Sequence, residues 1–277
     1  METGTDSNNI LAHIVERRRE AIAHRKRVLP EVALKLAVEK KAPPVRDFSG
    51  ALTRAGFNLI AELKKASPSR GLLRADYQPA VVAPMLEAAG AAALSVLTEE
   101  EFFQGSLRDL KEVSKVTKIP ILRKDFIVDP WQVWEARAAG ADAFLLIVAI
   151  LDDATLRELL GLGRELKMEA LVEVHSQGEL NRATDVGAKI IGVNNRDLKT
   201  LEVRLETSLE LVDKIPEECI GVSESGIRTR ADLEHLRCAG FDAFLVGEHL
   251  MTMPDPSIGL RELLGSATGR QGSQTGT

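Results

Sequence analysis

The chain carries only two cysteines, Cys219 and Cys238, in 277 residues. So few thiols exclude a disulfide framework and a cysteine-rich metal site. The five histidines, His13, His24, His175, His235 and His249, are scattered, and no two stand at ligand spacing, so no metal is expected. The two common nucleotide loops, GxGxxG and GxxxxGK followed by Ser or Thr, are both missing. The nearest approach, "GLGRE" at 161–165, reads as a flexible break around a helix end. Long apolar runs are absent too: the longest, Ala143 to Leu151, is far short of the ~20 residues a membrane span needs. The opening "METGTDSNNI" is polar and lacks a basic stretch followed by an apolar one, so no signal peptide is expected. Nor is there an excess of positive charge: the net charge is -5, which offers nucleic acid no global field. These gaps point to a reduced, cytoplasmic protein that engages neither nucleic acid nor membrane.

What is present is a rhythm. Residues 8–27 place apolar side chains at 10, 11, 14, 15 and 22 among charges, which predicts an amphipathic helix whose basic cluster forms a solvated face. A second helix is predicted over Glu31 to Lys40, broken by "APP" at 42–44. From residue 57 onward, short apolar runs recur: "NLIAEL", "AALSVL", "IPILRK", "AFLLIV", "EALVEV", "KIIGVN", "CIGVS" and "AFLVG". Helical patterns separate them, as in a parallel sheet covered by helices. Gly90, Gly140, Gly187 and Gly240 each stand just before a strand, where a helix commonly ends in a left-handed residue. Asp129-Pro130 and Asp152 are placed to start helices. About eight such units without a linker predict a (β/α)₈ TIM barrel over residues 46–265, with residues 1–45 as an N-terminal helical extension packed on it. The polar, glycine-rich residues 266–277 are expected to be a disordered tail. A doubly wound sheet is the alternative, but it usually has fewer strands and a glycine-rich phosphate loop after the first.

In a barrel the site lies at the C-terminal ends of the strands. The stretch "IPILRKDFIVDP" shows the pattern: an apolar strand runs directly into Arg123, Lys124 and Asp125. Alternation on a strand puts Lys124 on one face and Arg123 and Asp125 on the other. Other strand ends behave alike. The first delivers Glu62 and Lys64 to one face, the fifth Glu173, the sixth Asn194 and Arg196, the seventh Glu224, Ser225 and Gly226, and the eighth Gly247 and Glu248. Glu62 and Glu173 lie inside apolar runs, where an unpaired carboxylate is costly. Lysines and carboxylates converging on one rim can tune each other's proton affinity. Gly226 and Gly247 follow the seventh and eighth strands, where barrels often bind phosphate, and Ser67 could join them. His175 follows Glu173 at i+2 but reads better as a strand-end or helix-start residue. Trp131 and Trp134 read as helix packing.

The segments "IAELKKASPSRG", "LSVLTEEEFFQGS", "ILRKDFIVDPWQVWEARAAGADAFLLI", "LVEVH", "IIGVNNRDLKT" and "VSESGI…LVGEHLM" resemble indole-3-glycerol phosphate synthase, in order, over about residues 8–264. The resemblance implies a barrel with a helical extension, no cofactor, and a small phosphorylated substrate. The implied reaction closes the ring of 1-(2-carboxyphenylamino)-1-deoxyribulose 5-phosphate, releasing carbon dioxide and water, in tryptophan biosynthesis. Lys124 is then the general acid for ring closure, and Lys64 and Glu173 share the dehydration, with the proton donor left open between them. Glu62 positions a lysine. Asn194 and Arg196 orient substrate groups or the neighbouring acids. Glu224 and Ser225 hydrogen-bond near the glycerol end, and Phe103 and Phe126 sandwich the anthranilate ring. Ser67, Ser225, Gly226, Gly247 and Glu248 take the phosphate, mostly through backbone N–H groups. A monomer is expected.

Three rival functions fit parts of the same pattern. A Schiff-base aldolase would use a lysine in a dry barrel. A phosphoribosyl-anthranilate isomerase would need an Asp and Cys pair at strand ends, yet Cys219 opens its strand at the opposite end. A non-catalytic binding module would be expected to have lost one of Lys64, Lys124 or Glu173, and all three are present.

Overall fold

The structure, a computed structural model, describes residues 10–197 and 200–265; the expected tail over 266–277 lies outside the described residues. Two helices lead the chain, α1 (Ile10–Val28) and α2 (Glu31–Lys41), followed by a short α3 (Phe48–Leu52). Eight strands then alternate with helices: β1 (Asn58–Leu63), β4 (Ala93–Leu97), β5 (Ile121–Lys124), β6 (Ala143–Ile147), β7 (Glu169–Val174), β8 (Ile190–Asn194), β9 (Ile220–Glu224) and β10 (Ala243–Val246). They close into a barrel in the order β1-β10-β9-β8-β7-β6-β5-β4, every pair parallel. Closure excludes the doubly wound alternative, because neither β1 nor β4 is left as an edge. The small hairpin β2 (Ala66–Ser67) and β3 (Gly71–Leu72) stands outside the barrel, in the loop after β1.

Strand alternation sorts the barrel wall into two faces. Ile60, Ala93, Leu122, Ala143, Leu145, Leu171, Ile190, Val222, Ala243 and Leu245 form one buried cluster with Phe48 and Leu52 of α3. The opposite faces, with Leu59, Leu94, Phe144, Val172, Ile191 and Phe244 among them, pack on the helices α4 (Pro79–Ala88), α5 (Leu107–Val116), α6 (Pro130–Ala139), α7 (Asp153–Glu165), α8 (Gln177–Asp185), α9 (Glu206–Leu211), α10 (Arg230–Ala239), α11 (Glu248–Thr252) and α12 (Pro256–Leu264). The segment around α3 closes the N-terminal mouth. Arg46 bonds Asp142 before β6, Ser49 N donates to Glu169 at the start of β7, and Asn58 Nδ2 at the start of β1 donates to Leu52 O. With that end sealed by apolar side chains, the cavity opens at the C-terminal end.

Local signals explain the helix starts. Asp129 and Asp152 cap α6 and α7, accepting from Trp131 N and Thr155 N. Gly140 ends α6 with φ of 91°, and a β-carbon there would meet Ser114 Oγ at 2.2 Å, so both conformation and space demand glycine. The stretch "GLGRE" does not break a helix. It forms the last turn and a half of α7, because Gly163 lets that helix approach Phe144, whose ring would stand 2.9 Å from an added β-carbon.

The basic face of α1 is not simply solvated. Arg18 is buried and pairs with Asp125, Arg25 reaches Glu135 at 2.5 Å, and Lys26 reaches Asp129 at 2.6 Å. These acids stand on the segment that follows β5, so the extension docks by charge complementarity that a single helix cannot reveal. Below them Ile22 and Leu34 pack on Trp131, whose indole N–H donates to Leu29 O at 2.9 Å.

Candidate active site

A cavity of about 620 Å³ occupies the C-terminal end of the barrel. All the candidate residues except Ser67 line it. Ser67 lines a smaller recess beside it, under α1, together with Ile10, Leu11 and Ile14. Apolar lining comes from Leu145, Ile147 and Leu245, and the register sets Ile147 beside Glu173 and Leu245 beside Glu224. In the strand register Glu173 lies beside Gly192, and Asn194 beside Glu224.

Lys124 is the hub. Its Nζ donates to Glu173 Oε2 at 2.7 Å and to Glu224 Oε2 at 2.8 Å. Burial alone would lower its proton affinity, but the carboxylates of Glu173, Glu224 and Glu62 overcome that and hold the ammonium form well above its usual range. Glu173 responds in the opposite sense. Burial would raise its pKa, but Lys124 and His175 pull it well below the ordinary carboxylate range. Glu224 is pushed up to about 7, first by burial and then by Glu173, with Lys124 opposing. One lysine cannot neutralise two buried carboxylates, so the pair divides into an ionised member and one that readily holds a proton.

A second pair stands opposite: Lys64 Nζ lies 2.6 Å from Glu62 Oε1. Asn194 Nδ2 donates to Glu173 Oε1 at 3.1 Å and fixes that carboxylate's rotation. Glu248 is tied by two arginines, Arg70 Nε and Arg196 Nη2, each at 3.1 Å, which bridges the hairpin loop and the loops after β8 and β10 across the mouth. Its side chain is thus engaged, leaving only its backbone free for an anion. Ser225 and Gly226 both adopt left-handed backbone, with φ of 67° and 84°. That conformation is uncommon for serine and marks a constrained turn. Asn195 Nδ2 pins the turn by donating to Ser225 O at 3.1 Å.

Four details depart from the sequence-based expectation. Phe103 and Phe126 stand 6.1 Å apart and tilted by 43°, in contact with each other, so they make one apolar wall rather than two jaws. Gly247 makes room for Glu62, whose Oε1 lies 2.3 Å from where a β-carbon would be. His175 is a strand-end residue but does touch Glu173, Nε2 to Oε1 at 3.4 Å. Arg70 and Arg228 also line the cavity. Arg70 stood in a quoted motif, but loop arginines carry no signal of direction. As expected, Arg123 and Asp125 turn from the lysine into a buried network: Arg123 Nη2 reaches Asp125 at 2.9 Å and Glu135 at 2.8 Å.

Among the described residues, no group of three or more His, Cys, Asp or Glu is arranged to hold a metal, and no helix is long and apolar enough to cross a membrane. The fold and the lysine–glutamate cavity define a (β/α)₈-barrel enzyme site built for proton transfer. Barrels of distant sequence share the fold alone: 3-hexulose-6-phosphate synthase from Salmonella typhimurium (14% identity, TM-score 0.61, covering 76% of this chain and 98% of that one) and thiamine phosphate pyrophosphorylase from Pyrococcus furiosus (17%, 0.56, 75% and 93%). Closer kinship is explicit. The family model for indole-3-glycerol phosphate synthase matches residues 11–263. Enzymes of that name from Koribacter versatilis and Rhodococcus jostii are 47% and 49% identical, over 94% and 92% of this chain and 100% and 94% of theirs. The chain belongs to the indole-3-glycerol phosphate synthase family. Its activity is that family's decarboxylating lyase reaction.

Proposed function

We propose that Lys124 is the acid that drives ring closure on 1-(2-carboxyphenylamino)-1-deoxyribulose 5-phosphate, and that Lys64 and Glu173 divide the dehydration between them. The observation that carries this reading is the position of Lys124 Nζ between Glu173 and Glu224 inside the cavity. The aromatic carbon bearing the carboxylate attacks the ketone carbon, and Lys124 gives a proton to the ketone oxygen. Carbon dioxide then leaves and its bonding electrons restore the ring. Loss of water needs a proton on the hydroxyl and a proton taken from the adjacent carbon. Glu173, held ionised, has no proton to give and is available as the acceptor, so the donor is Lys64, positioned by Glu62. One proton is consumed overall and is regained from water.

Asn194 orients Glu173, and Arg196 and Arg70 bring positive charge to the mouth for the substrate's anionic groups. Ser225, Gly226, Gly247 and the backbone of Glu248 receive the phosphate, with Ser67 at its margin. Phe103 and Phe126 form the wall against which the anthranilate ring lies. An imine-forming aldolase is disfavoured, because it needs a neutral lysine and three carboxylates hold Lys124 protonated. The chain acts as a monomer in which the N-terminal extension, described from residue 10, braces the barrel, a division supported by the docking of α1 on Asp125, Glu135 and Asp129.

The test is a fluorescence assay for indole-3-glycerol phosphate on wild type and Lys124→Ala. Turnover should fall by about 100-fold or more while substrate still binds. A variant that keeps wild-type kcat would remove Lys124 from the mechanism. Light scattering on the eluting protein checks the monomer.

A further inference from the structure

His175 directly follows β7, two residues beyond Glu173, with 15% of its side chain exposed. Each ring nitrogen faces a carboxylate. Nδ1 lies 3.2 Å from Glu179 Oε2, within hydrogen-bond reach, and Nε2 lies 3.4 Å from Glu173 Oε1, an ion-pair distance without hydrogen-bond geometry. Glu179 is itself held: its Oε2 accepts from His175 N at 2.8 Å, and its own N–H donates to the α8 cap Ser176 at 3.3 Å. A neutral imidazole has one N–H and one lone pair, so it would turn a lone pair toward one of these carboxylates. Only the doubly protonated ring suits both.

The charged groups facing the ring are Glu173 from its own strand and Glu179 from α8. Behind Glu173 stand Lys124 of β5 and Asn194 of β8. Among the described residues, Glu224, the other carboxylate on Lys124, pairs with no second cation, and its Oε1 is buried without a hydrogen-bond partner. The two carboxylates are therefore not equivalent, and His175 is what distinguishes them.

We propose that His175 is a positioning residue: as an imidazolium clamped between Glu173 and Glu179, it keeps Glu173 ionised and so assigns the base's part in dehydration to Glu173 rather than to Glu224. This rests on the reading of Glu173 as that base. The direction of the proton affinities agrees, since burial would lower that of His175 but its two carboxylates push it up to about 10.

The experiment follows kcat and the Glu173 carboxyl infrared band against pH, from about pH 2 to about pH 9, for wild type, His175→Asn, His175→Lys and Glu173→Gln. Asparagine removes the charge, so the acid limb should move up by about one pH unit, and the deficit against wild type should shrink as pH rises. Lysine restores a cation and should return the limb toward wild type. A deficit of equal size at every pH, or an unmoved limb, overturns the proposal when Glu173→Gln is inactive. If Glu173→Gln keeps its activity, the assignment of the base falls first, and the inference falls with it. Ring-nitrogen NMR of the wild-type enzyme decides independently of any variant's folding. Both nitrogens of His175 should be protonated at about pH 7.5, and a neutral ring there overturns the proposal.

Discussion

Glu62 occupies the space that a side chain on residue 247 would need: a β-carbon on Gly247 would sit 2.3 Å from Glu62 Oε1 and 2.9 Å from its Cβ. Glu224 leans on Gly192 in the same way, its Oε1 2.1 Å from the position of an added β-carbon. Gly192 within β8 and Gly247 just after β10 thus seat two site carboxylates.

Gly247→Ala should therefore push Glu62 aside and carry Lys64 with it. We expect kcat to fall by about 10- to 100-fold with the barrel still folded, because displacements of an ångström at a reacting group cost that much. Gly192→Ala should do the same through Glu224. Steady-state kinetics beside circular dichroism checks both.

Arg18 pairs with Asp125 in a fully buried setting, where Arg123 holds the same carboxylate. Burial would raise the pKa of Asp125, yet Arg18 and Arg123 hold it below its usual value. Arg18→Met should cost about 3 kcal/mol in urea unfolding, since it leaves part of a buried charge uncompensated. Arg17, half exposed beside Glu20 and Glu101, should be replaceable by Ala without a measurable change.

The imidazolium of His175 also ties stability to pH. Its folded pKa, about 10, lies above the unfolded value near 6.5, so its contribution is complete below about pH 6.5 and is lost as pH rises through about 10. The stability gap between wild type and His175→Gln should be widest at about pH 6 and should close by about pH 10. Unfolding curves at the two pH values measure it.

Glu224, pushed up to about 7, should be mostly neutral at about pH 6 and mostly ionised at about pH 8 in the free enzyme. Difference infrared spectroscopy should show a buried carboxyl band that disappears across that range and is missing in Glu224→Gln. A band that persists to about pH 9 would contradict the division of charge between Glu173 and Glu224.

Much of this site could be read from the chain because strand alternation is rigid. Once Ile121–Lys124 is a buried strand, Lys124 must face one way and Arg123 the other. Glu62 and Lys64 share a face for the same reason. Loop side chains have no such rule. Arg70 sits on the hairpin after β1 and Arg196 after β8, and only their meeting at Glu248 shows that both turn toward the mouth. The role of α1 was hidden in a similar way. A helix with three basic residues in its last turn looks solvated until acids 100 residues away are brought against it.

The sequence by itself determined the eight repeated units, the glycines and aspartates that start and stop their helices, and which strand residues face inward. These follow from backbone geometry and local hydrogen bonding, which act over a few residues. Only the tertiary structure decided which charges are partners: that Lys124 is shared by two carboxylates, that His175 belongs to one of them, and that Gly247 exists for Glu62. Those facts depend on distances between strands far apart in the chain. At 3 Å in a dry cavity, such distances set proton affinity more strongly than residue type does.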